Sequence, residues 1–139
     1  MTDEKERESA DLIHPTAIID PRAEIGKGVK IGPYAVIGPN VKIGDGTEIM
    51  SHVVIDGWTT IGKDCRFFPS ASIGSEPQDL KFNGEKSYVI IGDRSVFREF
   101  VTVSRATGEG EETRIGNYCL FQACTHVAHN CIVGNHVIM

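Results

Sequence analysis

Two histidines three residues apart, His126 and His129, stand in the run Thr125-His126-Val127-Ala128-His129-Asn130-Cys131. An imidazole can exchange a proton near neutral pH or ligate a metal, so a pair on one rigid edge is a candidate site of either kind. Zinc takes three or more protein ligands, and no third candidate is evident nearby. A second candidate is Gln78-Asp79-Leu80-Lys81, which sets an acceptor and a cation two residues apart. That pairing suits a polar sugar ligand; the competing reading is a solvated loop with ordinary charges. His14, His52 and His136 fall where surface or turn histidines are expected.

The elements that must position these residues follow from a period. Hydrophobic residues recur at every sixth position without a break: Ile13, Ile19, Ile25, Ile31, Ile37, Ile43, Ile49, Ile55, Ile61, Phe67 and Ile73. Six is neither a helical period nor a strand alternation; it marks a hexapeptide repeat and predicts a parallel β-helix. Three hexads make one triangular coil, with the first residue of each pointing inward. The fifth residue is small or β-branched (Ala35, Val41, Thr47, Val53 and Cys65, for example), because a corner leaves little room. Glycine in the second position is expected to relieve the backbone at the turn. Stacked coils bury their aliphatic faces on one another, which a single coil cannot do alone. In this register His129 is a third residue and His126 a sixth, so both are expected to project outward.

Two excursions interrupt the hexads. The first runs from Ser75 to Tyr88 and contains the Gln78–Lys81 segment; the second, about Arg105 to Arg114, is rich in Gly and Glu. The period resumes at Ile91, Phe97 and Val103, then at Ile115, Phe121, Val127 and Val133. Long loops leaving a rigid scaffold are where function concentrates. None of Cys65, Cys119, Cys124 and Cys131 forms a C-x-x-C pair, and small buried hydrophobes are the better reading than disulfide or zinc ligands.

Composition narrows the function classes. The 139 residues are 40% hydrophobic and only 7% aromatic, predicting one domain with a thin aliphatic core. A net charge of -5 without a cluster of Lys and Arg argues against nucleic acid as a partner. No apolar run approaches the roughly 20 residues of a membrane span. Residues 1–12 read as a polar tail rather than a secretory signal, which points to the cytoplasm, and 13–139 as the repeat domain. Met139 is itself a first position, so the repeat stops in mid-stride without a cap, and a fragment of a longer protein is expected.

The sequence resembles the acyl-carrier-protein–UDP-N-acetylglucosamine O-acyltransferases, which begin lipid A synthesis. The resemblance is carried in order by Ile13-His14-Pro15-Thr16-Ala17-Ile18, Ser51-His52-Val53-Val54, Ala71-Ser72-Ile73-Gly74, Gln78-Asp79-Leu80-Lys81, Ile91-Gly92-Asp93-Arg94, Arg98-Glu99-Phe100-Val101-Thr102-Val103 and His126-Val127-Ala128-His129. It implies a homotrimer of left-handed β-helices with active sites between subunits. It also implies attack of the glucosamine 3-hydroxyl of UDP-N-acetylglucosamine on the thioester of a 3-hydroxyacyl chain held by acyl carrier protein. His129 matches the family's general base; Gln78, Asp79 and Lys81 match the sugar-nucleotide loop, and His126 lines the same cleft. No cofactor or metal is implied. The residue types suit the chemistry: an alcohol is a poor nucleophile, and a histidine removing its proton contributes about 10²–10⁴-fold. A backbone N–H is expected at the thioester oxygen.

Three departures qualify the resemblance. Asn130 stands where many members carry an acidic residue, Ser104 where some carry a histidine, and the family's later coils and C-terminal helical domain have no counterpart here. Little or no activity is therefore expected of residues 1–139 alone. Other readings are a sugar N-acyltransferase on the same scaffold, a metal enzyme of the carbonic-anhydrase type, and a structural or trimerising fragment without chemistry.

Overall fold

The computed structural model describes residues 12–139; the polar tail expected over 1–12 lies, Leu12 apart, outside the described residues. Most strands are two residues long, an exposed or half-buried sixth residue followed by an inward first residue. Each pairs in parallel with the strand one coil further on, as Ile18 with Val36 and Ile19 with Ile37. The result is three parallel sheets, two of six strands and one of five among the described residues.

The first face carries Ile18–Ile19, Val36–Ile37, Val54–Ile55, Ser72–Ser75, Thr102–Ser104 and His126–Val127. The second carries Glu24–Ile25, Lys42–Ile43, Trp58–Ile61, Tyr88–Ile91, Glu112–Ile115 and Ile132–Val133. The third carries Lys30–Ile31, Glu48–Ile49, Arg66–Phe67, Val96–Phe97 and Leu120–Phe121. This is the left-handed parallel β-helix.

Partners in regular coils lie 18 residues apart, which is three hexads. The step widens to 30 across the first excursion and to 24 across the second. Both insertions are whole numbers of hexads. The first-position residues therefore keep their phase along the sequence, and the period is still visible after each loop. The strand Glu112–Ile115 takes in the last residues assigned from the sequence to the second excursion, which is shorter than expected and ends at Glu111.

The corners correct one expectation. The left-handed φ falls mostly on the fourth residue of the hexad rather than the second: Tyr34 (60°), His52 (59°), Asp64 (53°), Phe100 (60°), Cys124 (65°) and Asn130 (62°) all adopt it. At such a corner the amide of the fifth residue bonds back to the second carbonyl, as Ala71 N–H to Phe68 O at 3.2 Å around left-handed Ser70 (67°). That is a type II turn, which favours proline just before the left-handed residue. Pro33 and Pro69 stand directly before left-handed Tyr34 and Ser70, whereas Pro15, Pro21 and Pro39 share the third position without a left-handed residue after them. Second-position glycine answers to a different need, the close approach of stacked corners. A Cβ on Gly44 would come within 2.5 Å of the Gly62 carbonyl.

The interior is a column of first-position side chains, most of them at 0–4% exposure between Ile31 and Val127. It is less purely aliphatic than composition suggests. Phe67, Phe97 and Phe121 stack on the third face at centroid separations of 4.7 and 4.9 Å. Few as they are, half of the six phenylalanines are thus spent on one core column. Cys65 and Cys119 are buried corner residues as expected, and burial raises the Cys65 thiol to about 11. Cys131 is only half-buried because it belongs to the last coil. Cys124 is exposed, since it is a fourth residue at the outside of its turn, and its reading as a buried hydrophobe is wrong.

Candidate functional site

Both excursions leave the same corner of the prism, between the first and second faces. The first connects Ser72–Ser75 to Tyr88–Ile91, and the second connects Thr102–Ser104 to Glu112–Ile115. Gly74, at the root of the first, has φ +85° and no space for a Cβ against Asp56 and Thr59; only glycine fits both conditions. The loops are laced together. Glu85 accepts the N–H of Gly108 at 2.9 Å, Glu109 accepts the N–H of Lys86 at 3.2 Å, and the N–H of Gly110 donates to the Lys86 carbonyl at 2.8 Å. The Arg105 N–H donates to the Ser75 carbonyl at 2.9 Å, and its guanidinium lies 5.1 Å from the Phe82 ring centre and 5.6 Å from that of Trp58.

This stack presses Asp79 toward the corner of the next coil. Asp79 Oδ2 lies 3.9 Å from His129 Nε2, with the His129 side chain 34% exposed and that of Asp79 20%. On the other side of the ring, His129 Nδ1 is 2.8 Å from Asn130 Oδ1. The Asn130 amide bonds to the second excursion: Oδ1 accepts the Thr107 N–H at 2.9 Å and Nδ2 donates to the Thr107 carbonyl at 3.1 Å. Its own backbone N–H donates to the buried Thr113 hydroxyl at 3.0 Å.

Asp79 is held as a carboxylate. The Lys81 N–H, 3.0 Å from Oδ1, is the main cause of its lowered pKa, and the Thr107 hydroxyl adds to it although its geometry falls short of a full hydrogen bond. His129 opposite adds a smaller attraction.

The sequence-predicted residues separate into two groups. Asp79 and His129, fifty positions apart in the chain, are brought together. His126 is exposed on the first face, its Nδ1 2.7 Å from the Thr102 hydroxyl. Gln78 and Lys81 are exposed on the loop, and among the described residues neither side chain hydrogen-bonds to either histidine. His136 stacks on Tyr118 at 5.1 Å at the opposite corner, and His52 packs beside Tyr34. Among the described residues no three of His, Cys, Asp and Glu converge as a ligand set. Thr107 was not anticipated. The Gly- and Glu-rich composition around it gives no hint that its backbone meets Asn130.

A rigid triangular prism with a half-buried histidine at one looped corner defines the class: a left-handed β-helix of hexapeptide repeats. A family profile described as the GMPPB C-terminal domain matches residues 13–76, nearly the span of the unbroken hexads. Beyond the repeat, an acyl-[acyl-carrier-protein]–UDP-N-acetylglucosamine O-acyltransferase of Chlamydia caviae is 53% identical over 119 residues, 86% of this chain and 43% of the relative. The enzyme of that name from Thermodesulfovibrio yellowstonii is 52% identical over 128 residues, 91% of this chain and 50% of the relative. The LpxA structure from Acinetobacter baumannii superposes with a TM-score of 0.89 at 48% identity, covering 92% of this chain and 50% of that one.

The chain thus resembles the N-terminal portion of the acyl-carrier-protein–UDP-N-acetylglucosamine O-acyltransferases. It spans about half the length of the curated relatives it matches. Among the described residues no helix is long and apolar enough to cross a membrane.

Proposed function

We propose that this chain is part of an O-acyltransferase that moves a 3-hydroxyacyl chain from acyl carrier protein to the 3-hydroxyl of the glucosamine unit of UDP-N-acetylglucosamine, the first step of lipid A biosynthesis. The observation that carries the reading is the meeting of Asp79 with His129, which joins the two most specific elements of the family resemblance at one half-buried point. His129 is the general base. It takes the hydroxyl proton as the oxygen attacks the thioester carbonyl; the carbon–sulfur bond then breaks, and the carrier thiol leaves with a proton returned by the imidazolium. Gln78, Asp79, Lys81 and His126 hold the sugar nucleotide. The required reach is ordinary for proton transfer, about 2.6–3.2 Å between heavy atoms.

Residues 13–139 act as one repeat domain in a cytoplasmic homotrimer. The outward residues of the first face support the trimer: Ile18, Val36, Val54, Ser72, Thr102 and His126 include no Lys, Arg, Asp or Glu, whereas the second face presents Glu24, Lys42 and Arg114 and the third Lys30, Glu48 and Arg66. Ile18, Val36 and Val54 are exposed in the single chain. A copy seated there would also border His126.

The test is acyl transfer by the complete protein, with UDP-N-acetylglucosamine and 3-hydroxyacyl-acyl carrier protein as substrates. The expected product is an ester at the sugar 3-position. An amide product, formed only from an amino sugar, would establish the N-acyltransferase reading instead. Residues 1–139 alone are expected to turn over little, as relatives about twice as long carry the activity named for them.

A further inference from the structure

This inference rests on His129 as the proposed base and concerns how that ring is prepared. We propose that Thr107 and Asn130 act as a positioning pair that fixes the proton of the neutral His129 ring on Nδ1, while Asp79 provides the counter-charge on the Nε2 side.

The argument starts from groups whose roles are unambiguous. A backbone N–H only donates and a carbonyl only accepts. The Thr107 N–H lies 2.9 Å from Asn130 Oδ1 and the Thr107 carbonyl 3.1 Å from Nδ2. Turning the amide over would set two donors face to face and two acceptors face to face, so the backbone dictates its orientation. Oδ1, with one lone pair on Thr107, meets His129 Nδ1 at 2.8 Å. An amide oxygen cannot donate, so Nδ1 must carry hydrogen. The neutral ring then has its lone pair on Nε2, as a base directed at a substrate hydroxyl requires.

The opposite side of the ring supplies the charge. Asp79 Oδ2 is 3.9 Å from Nε2, too far for a hydrogen bond but near enough to set a negative charge opposite the atom that receives the substrate proton. A carboxylate at position 130 would combine orientation and charge in one residue. In this chain the two tasks are divided: Asn130 orients, and Asp79, delivered by the first excursion, compensates. The second excursion thereby acquires a role that its composition does not suggest, since its Thr107 backbone sets the amide that sets the tautomer.

The experiment is nitrogen-15 NMR of the histidine rings in the full, uniformly labelled chain, at a pH where His129 is neutral; His129→Gln assigns its signals. The expected pattern is a protonated Nδ1 and a bare Nε2 in the parent protein. Asn130→Gly removes the amide but keeps the left-handed backbone without strain; in it the proton should shift toward Nε2. Asn130→Asp keeps an acceptor oxygen and should retain the Nδ1 proton. In turnover, Asn130→Gly should lower kcat about 10-fold with KM little changed, as for a group that matters in the transition state.

An Nδ1 proton that persists in Asn130→Gly would overturn the proposal and leave His129 free to be the base; an Nε2-protonated ring in the parent would overturn both the proposal and Nε2 as the basic atom. Conversely, full turnover by His129→Ala would remove the base while leaving the NMR result as it stood.

Discussion

Two corners of the prism are built from the same hexad and end in different chemistry. At the corner between the second and third faces, a side-chain oxygen of one coil accepts an N–H from the coil before: Asp45 from Lys27 at 2.8 Å, Asp93 from Lys63 at 2.8 Å, Asn117 from Asp93 at 2.7 Å and Asn135 from Asn117 at 2.8 Å. Each bond satisfies a backbone group that the turn would otherwise leave to solvent, and the ladder continues past the level of both excursions. At the corner between the first and second faces, Asn130 makes the same kind of bond to Thr107 at 2.9 Å. There its oxygen also meets an imidazole, and a loop carboxylate lies on the far side of that ring. A structural device that closes one corner on itself becomes, with a second acceptor contact and two loops, the support of a candidate base at the other. The scaffold is common to both; the insertions make the difference.

Substitutions at the two kinds of position should therefore fail differently. The largest effect belongs to His129→Ala in the complete protein, which should lose about 10²–10⁴-fold in kcat while the parent's oligomeric state and thermal stability are retained; steady-state kinetics alongside sedimentation would show it. Phe97→Ala opens the middle of the aromatic column and should cost about 3–5 kcal/mol, read as a lower denaturation midpoint. If His129→Ala unfolded the protein, or Phe97→Ala left stability unchanged, the separation between scaffold and site would collapse.

Smaller effects sharpen the contrast. Thr113→Val leaves the Asn130 N–H without its buried acceptor and should cost about 1–3 kcal/mol, with a loss of turnover beyond what stability accounts for. Asp79→Asn tests the weakest coupling. The folded carboxyl is held below its ordinary value by the Lys81 N–H and the Thr107 hydroxyl. Its contribution is therefore present above about pH 4 and is lost as pH falls through the lowered folded value. The parent and the variant should differ slightly in stability at neutral pH and converge in acid; a difference that grew on acidification would reverse the sign and contradict the assignment.

The scaffold was largely legible because each first position answers to one constraint, burial in the prism. Period six survives both loops for a physical reason, insertion lengths that are whole hexads. The corners were less legible. Second-position glycine suggests a special φ, yet in most hexads it marks backbone close to backbone, and the left-handed residues are as varied as Tyr34, His52, Phe100 and Cys124, which composition does not single out. Proline in the third position was a partial signal, since a left-handed residue follows Pro33 and Pro69 but not Pro15, Pro21 or Pro39. Cys124 shows the same limit: its type suggests burial, whereas its place in the hexad puts it outside. At the site, His129 and Asp79 could be named from motif and loop, but their approach depends on how far two irregular segments fold back. Nothing periodic encodes that distance, and nothing in Thr107 announces a contact made through its backbone.

The central claim is tested most directly by the structure of the complete protein with UDP-N-acetylglucosamine bound. The sugar 3-hydroxyl should sit within about 2.6–3.2 Å of His129 Nε2, between the ring and the loop that carries Asp79. A sugar bound elsewhere on the prism, or bound here with that hydroxyl directed away from Nε2, would contradict it.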